Sequence, residues 1–271
     1  MNKQDKIWQS IEKEIQIYDS LKISESIDYE KFFIYSIITH STAIEGSTLT
    51  ELDTQLLFDE GITAKGKPLA HHLMNEDLRK AYVFASQNAK EKTLPTPDFL
   101  RELNALVMKS TGSNTSVLGG SFDSSKGDFR LCGVTAGYGG KSYMNYLKVP
   151  ATVSELCNEI NKRSLEVKTP KDIYRLSFDA HLNLVTIHPW VDGNGRTSRL
   201  LMNYLQMYHH VILTKIYKED RTEYIASLIE SREKEDSTPF REFMEQQFLK
   251  MLKETVSNFK RSQNREIKFL F

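Results

Sequence analysis

Apolar residues recur every three to four positions through almost the whole chain, and the interruptions fall in one stretch. Ile7, Ile11, Ile15 and Tyr18 share one helix face over residues 3–21. Phe32, Tyr35 and Ile38 repeat the pattern over 29–45, with Gly46 placed to stop the helix. The same spacing predicts helices over 51–59, 71–89, 97–110, 151–163, 171–187, 195–209, 221–232 and 238–260. Ser237 and Pro239 stand in cap-like positions at the start of the last of these, and residues 261–271 are expected to fray. The fold class is therefore all-α (mainly α). Residues 111–150 break the period, since they hold Gly112, Gly119, Gly120, Gly127, Gly133, Gly137, Gly139 and Gly140. Segments 129–134 and 143–149 flank part of that cluster and are expected to pair as a short β-hairpin on the helical body.

Composition narrows the function. Lys and Arg number 36 against 36 Asp and Glu, and this even balance argues against a nucleic-acid-binding or membrane-surface protein. No apolar run approaches the ~18 residues that span a bilayer, and the N-terminus lacks the apolar core of a secretory signal, so the cytoplasm is the expected compartment. Cys132 and Cys157 are the two cysteines and form no CxxC spacing. They argue against a disulfide scaffold or multi-cysteine zinc site and are expected to be packing residues. No repeat or Pro- or Ser-rich linker divides the chain into independently folding halves.

The chemistry concentrates in His188 to Arg199, which reads HPWVDGNGRTSR. Gly193, Asn194 and Gly195 form a turn leading into a helix, where glycines admit an anion close to the backbone and the first N–H groups point at it. Arg196 and Arg199 lie three apart on that helix, so their guanidinium groups are expected to converge on one ligand. The set reads as a polyphosphate cradle. Asp192 is a hard oxygen ligand placed for Mg²⁺ between two phosphates, and His188 is a candidate general base. Taken alone, GNG also fits an ordinary loop between two helices.

With all its members together, the stretch resembles the signature of the Fic domain family, HxFx(D/E)GNGRxxR. His188, Asp192, Gly193, Asn194, Gly195, Arg196 and Arg199 fill the defining positions, and Trp190 stands where the family usually has Phe. The resemblance implies a Fic fold, a helical bundle with a hairpin flap, and transfer of AMP from ATP to a Ser, Thr or Tyr hydroxyl of a target protein. It implies catalytic roles for His188, Asn194 and Arg196. The phosphates would lie on Gly193, Asn194, Gly195 and Arg196, with Mg²⁺ on Asp192 and the γ-phosphate on Arg199. Tyr224 either contacts the adenine, as aromatic residues of that region do in relatives, or is a core tyrosine. Gly127 to Arg130 resembles the GxYR-type entry to the flap, which assigns Phe129 and Arg130 to target docking; a bland surface hairpin is the other reading.

Further upstream, Ser41 to Gly46 reads STAIEG and resembles the family's inhibitory pattern (S/T)xxxE(G/N), through Ser41, Glu45 and Gly46. The carboxylate would pair with Arg199 in place of the γ-phosphate; read alone, the segment is a helix end with a glycine cap. The resulting division has an N-terminal region over 1–95 with the inhibitory helix at about 29–46. A Fic core follows over 96–232, with its flap at about 127–149 and catalytic loop at 188–199, and then a C-terminal extension over 233–271. Two other features carry less. Gly140, Lys141 and Ser142 imitate the end of a P-loop but Thr135 stands where glycine is required, and the pairs His71–His72 and His209–His210 point apart on a helix.

The sequence thus reads as an autoinhibited protein adenylyltransferase, with AMP removal as a further activity of the same site. The alternatives are Fic-type transfer of another nucleotide or phosphate group, and a non-catalytic nucleotide-sensing module that docks proteins. An intact His188 favours the enzyme, because binding needs no base. Self-modification and homo-oligomer formation stay open.

Overall fold

The computed structural model describes residues 3–26, 28–135 and 140–268. Among them run ten α-helices: α1 (Lys3–Ser20), α2 (Tyr29–Ile44), α3 (Glu51–Glu60), α4 (Leu69–Lys90), α5 (Pro97–Val107), α6 (Val149–Glu166), α7 (Pro170–Ile187), α8 (Asn194–Tyr208), α9 (Arg221–Lys234) and α10 (Thr238–Lys268). The local chemistry accounts for several boundaries. Thr50 and Asp53 form a capping box at the start of α3, Thr169 and Asp172 form another at the start of α7, and Pro170 occupies the first turn of α7. Instead of fraying at 261, α10 continues to Lys268.

The regular strands lie upstream of the predicted hairpin, whose segments meet in an antiparallel bridge. The strands are β1 (Asn114–Val117) and β2 (Gly120–Asp123), antiparallel, with Thr115 opposite Phe122 and Ser116 opposite Ser121. Residues 129–134 and 143–149 form no strands; their antiparallel contact is a single bridge between Thr135 and Ser142, beside the Tyr143 N–H donating to the Val134 carbonyl at 3.0 Å. Two facts explain this. The Arg130 N–H is given to the Pro189 carbonyl rather than to a neighbouring strand. Tyr146–Lys148 is a 3₁₀ turn that runs into α6, with Pro150 in the first turn of that helix. The tip of the expected flap, 136–139, lies outside the described residues.

The chain divides into two compact units, one of Met1–Ile37 with Thr214–Phe271 and one of Ile38–Leu213. In the first, α1 packs along α10, with Trp8, Ile11 and Tyr18 of α1 buried and Phe240, Met244, Phe248 and Leu252 of α10 buried. In the second, α8 is the central element. Apart from Gly195, its residues from Asn194 to Gln206 are all buried, as expected of a helix enclosed on every side. It packs against α7, α4 and α5, while α6 covers α7. The last part of α2, from Ile38, belongs to this second unit. Cys157 is buried in α6 and burial pushes its thiol pKa up to about 12, which suits a packing residue. Among the described residues no helix is long and apolar enough to cross a membrane.

Candidate active site

The loop between α7 and α8 begins and ends on left-handed backbone, at His188 (φ 52°) and Gly193 (φ 79°). A residue with a Cβ costs ~1–2 kcal/mol in that region, and such strain collects where a side chain has work to do. The His188 Nδ1 lies 3.3 Å from the Val185 carbonyl. A carbonyl only accepts, so Nδ1 carries a proton, and in the neutral ring the lone pair is then on Nε2. The ring stacks on Tyr143, with centroids 3.8 Å apart and planes 17° from parallel.

Trp190 is fully buried and anchors the loop, its Nε1–H donating to the Gly127 carbonyl at 3.0 Å. Asn194 uses both ends of its amide on Trp190: its Nδ2 donates to the Trp190 carbonyl at 2.9 Å, and its Oδ1 accepts the Trp190 N–H at 3.1 Å. The Asn194 side chain thus closes the loop on Trp190, and one of its two Nδ2 N–H groups makes that bond. The expectation for Arg130 is corrected. Its guanidinium is fully buried and donates to the carbonyls of His188 (2.8 Å), Cys132 (2.8 Å) and Met144 (2.7 Å). It fastens the loop from inside, and burial lowers its pKa. Phe129 is half-buried, its ring 6.0 Å from that of Trp190 and under the Arg101 guanidinium at 5.8 Å.

Gly193 fits because nothing larger does: a Cβ there would come within 2.7 Å of Asn104 Nδ2 and 2.9 Å of Met108 Sδ. Asn104 of α5 was not singled out in the sequence. It is buried, and its Nδ2 donates to Thr197 Oγ1 (3.1 Å) and to the Asp192 carbonyl (3.4 Å), which ties the turn to α5. The Asp192 carboxylate is two-thirds exposed and its Oδ1 accepts the Gly193 N–H at 2.5 Å.

Arg196 and Arg199 do not converge. Arg196 turns inward to the end of α5, donating to the Val107 carbonyl (3.4 Å) and Met108 Sδ (3.1 Å), with Asp192 Oδ1 at 3.5 Å. Burial lowers its pKa. Arg199 instead donates from Nε to Ser41 Oγ (2.8 Å) and from Nη2 to the Ser41 carbonyl (2.9 Å) and Glu45 Oε1 (2.7 Å). A Cβ on Gly195 would run into the Glu45 carboxylate, so this anion lies over the first turn of α8, at the positive end of the helix dipole.

The STAIEG segment is itself held. Gly46 has φ +102°, and Ser47 N–H reaches back to the Thr42 carbonyl at 3.0 Å. Asn75 of α4, fully buried and also not foreseen, accepts from Thr42 Oγ1 (3.1 Å) and donates to Ser47 Oγ (3.2 Å) and the His71 carbonyl (2.8 Å). Tyr224 belongs to the other unit, where it is buried against Phe240 and Phe243, with ring centroids 6.3 and 5.9 Å away. It is described there as a core tyrosine.

The pattern of the Fic/DOC family matches residues 94–206. Among curated proteins, the chain is 29% identical over 201 residues to protein adenylyltransferase fic-1 of Caenorhabditis briggsae, covering 73% of this chain and 36% of that protein. It is 31% identical over 197 residues to protein adenylyltransferase Fic of Drosophila erecta, covering 69% of this chain and 35% of that protein. The chain thus spans about a third of the length of these relatives. Its fold is similar to that of a Fic-domain-containing signaling protein from Bacteroides thetaiotaomicron, with TM-score 0.77 at 22% identity over 93% of this chain and 97% of that one. It is also similar to Fic-1 from Caenorhabditis elegans, with TM-score 0.71 at 22% identity over 96% of this chain and 74% of that one. Residues 94–206 thus form a domain that matches the Fic/DOC family.

Proposed function

We propose that this chain is a protein adenylyltransferase restrained by Glu45, transferring AMP from ATP to a Ser, Thr or Tyr hydroxyl of a target protein. The observation that carries the reading is the 2.7 Å ion pair of Arg199 with Glu45 over the first turn of α8, one loop away from a histidine whose Nδ1 is turned to the Val185 carbonyl. The names of the curated relatives support the same chemistry.

In this reading His188 Nε2 accepts the proton of the acceptor hydroxyl while that oxygen attacks the α-phosphorus and pyrophosphate leaves. Negative charge builds on the phosphate oxygens, and the first N–H groups of α8, which have no partner within the helix, face it. Asp192 suits Mg²⁺: its carboxylate is mostly exposed beside that turn, and one carboxylate with substrate phosphates and waters satisfies this ion. When bound, Mg²⁺ would neutralise phosphate charge there. Asn194, Trp190, Asn104 and Arg130 hold the turn in shape. The Glu45 carboxylate and a γ-phosphate compete for Arg199, so ATP binds poorly until Glu45 is displaced.

The test is incubation of wild type and Glu45→Gly with α- or γ-³²P-ATP, Mg²⁺ and a cell lysate. A charge-assisted contact is worth ~1.5–3 kcal/mol, so Glu45→Gly is expected to raise α-label transfer roughly 10- to 100-fold. Adding His188→Ala or Asp192→Ala abolishes it. Label from the γ position alone would make the protein a kinase, and no protein label from either nucleotide would leave a sensing module.

A further inference from the structure

The loop chemistry gives no role to the stack of His188 on Tyr143. The stack is built rather than incidental. Arg130, fully buried, donates to the carbonyls of His188 and Met144, so one guanidinium fixes both the base and the residue next to Tyr143. The Tyr143 N–H is tied separately to the Val134 carbonyl at 3.0 Å. Tyr143 therefore reaches His188 from a backbone held on both sides.

The stack also supplies what the hydrogen bond does not. The contact from Nδ1 to the Val185 carbonyl sets the tautomer, and at 3.3 Å it is long for an N–H···O bond, so it fixes the plane of the ring weakly. A flat aromatic surface 3.8 Å away and nearly parallel blocks rotation of the imidazole to that side. We infer that Tyr143 is a positioning residue for His188: its ring clamps the imidazole so that Nε2 meets the acceptor hydroxyl in line with the α-phosphorus. The ring does this, and the phenol hydroxyl is dispensable. The inference rests on the adenylyl-transfer reading and extends it to the acceptor side of the site.

The consequence is a division between binding and transfer. ATP is held by α8 and Arg199, so its affinity does not depend on Tyr143, whereas transfer does. A displacement of about 1 Å at a reacting group costs up to ~10²-fold in rate. In the Glu45→Gly background, Tyr143→Ala and Tyr143→Leu are expected to lower kcat roughly 10- to 100-fold with ATP Kd unchanged, while Tyr143→Phe retains the rate. Two side-chain replacements guard against a folding defect in one of them, with thermal melts confirming each. Independently of activity, NMR of protein carrying ¹⁵N-histidine reads the stack itself. The His188 ring protons are expected upfield in wild type and Tyr143→Phe, assigned with His188→Gln, and to relax downfield in Tyr143→Ala.

An unchanged kcat in folded Tyr143→Ala and Tyr143→Leu overturns the inference, as does a Tyr143→Phe variant as slow as the alanine one. Absence of transfer in Glu45→Gly itself would overturn the functional reading instead. The NMR arm then decides the contact alone, and His188 shifts indifferent to Tyr143→Ala would overturn it too.

Discussion

Replacing Glu45 by Gln tests the pivot of the site with the least steric change, because the amide keeps the size and an acceptor oxygen and removes only the charge. Arg199 is 3% exposed and retains both contacts with Ser41. The bond to Gln still has a charged donor, so the substitution removes the ion-pair contribution and not the hydrogen bond, at a cost of about 1 kcal/mol without nucleotide. The Glu45 side chain is one-third exposed, and water screening keeps the figure this small. Removal of the whole partner in Glu45→Ala leaves a buried cation and costs about 3–5 kcal/mol. At this chain size each kcal/mol corresponds to roughly 2–4 °C in Tm. The assay is urea and thermal unfolding of Glu45→Gln, Arg199→Met and the double variant, with and without Mg-ATP. The double variant should be no worse than Arg199→Met, a coupling near 1 kcal/mol, and ATP should stabilise Glu45→Gln more than wild type because it restores the missing anion. Additive single effects, or equal stabilisation by ATP, would refute the exchange of carboxylate for phosphate.

Two further outcomes follow from buried groups. Arg130→Met leaves the carbonyls of His188, Cys132 and Met144 without their donor, and is expected to cost about 3–5 kcal/mol in urea melts and to slow transfer; a loss below ~1 kcal/mol would show that the loop holds itself. His181 is fully buried, and burial followed by the charge of Arg199 holds its pKa well below the usual range, so the unfolded chain binds the extra proton first. Stability is therefore unaffected above the unfolded pKa of ~6.5 and falls below it by up to ~1.4 kcal/mol per pH unit until the folded pKa is reached. Melts of wild type and His181→Gln from pH 7.5 to 5 check this, and equal slopes would refute it.

Helices were legible because each carries a 3.6-residue apolar stripe and many carry their own punctuation. The α7 start is written in Thr169, Pro170 and Asp172, and the α2 end in Gly46. The error at α5, expected to reach 110, has a local cause: Met108 leaves helical geometry with φ −107°. The regular strands were not foreseen at 114–123 because glycine spacing marks turns without saying which segments form a full ladder. Residues 114–123 pair across Leu118 and Gly119, while the Arg130 N–H is committed to the loop between α7 and α8. The site motif was readable because its members are consecutive. The inward turn of Arg196 was not, since it depends on Val107 and Met108 at the end of α5, whereas the pairing of Arg199 with Glu45 followed from the resemblance. Asn75 and Asn104 left a signal that could have been used. Each is a polar residue on the stripe its helix buries, His72–Asn75–Leu78 in α4 and Leu100–Asn104–Val107 in α5. Tyr143 left none, because a stack between distant segments has no pattern in sequence.

Three guanidinium groups, on Arg130, Arg196 and Arg199, are almost wholly buried in this unit, and they are satisfied in different ways. A buried cation is costly unless its surroundings compensate it. Arg130 is compensated by three backbone carbonyls that cannot leave without unfolding the loop. Arg196 has a carbonyl, a thioether and a 3.5 Å contact with Asp192; burial lowers its pKa, Asp192 and then Glu45 raise it, and Arg199 lowers it. Arg199 alone of the three has a carboxylate at 2.7 Å, and that carboxylate is one-third exposed, on a segment 154 residues away in the chain. The compensating charge that serves both α8 arginines is thus the one most easily exchanged for an anion from solution. A triphosphate offers more negative charge than one carboxylate at the same helix terminus, so the exchange relieves Arg196 and Arg199 together. On the proposed reading, restraint and nucleotide binding draw on one electrostatic need and therefore exclude each other.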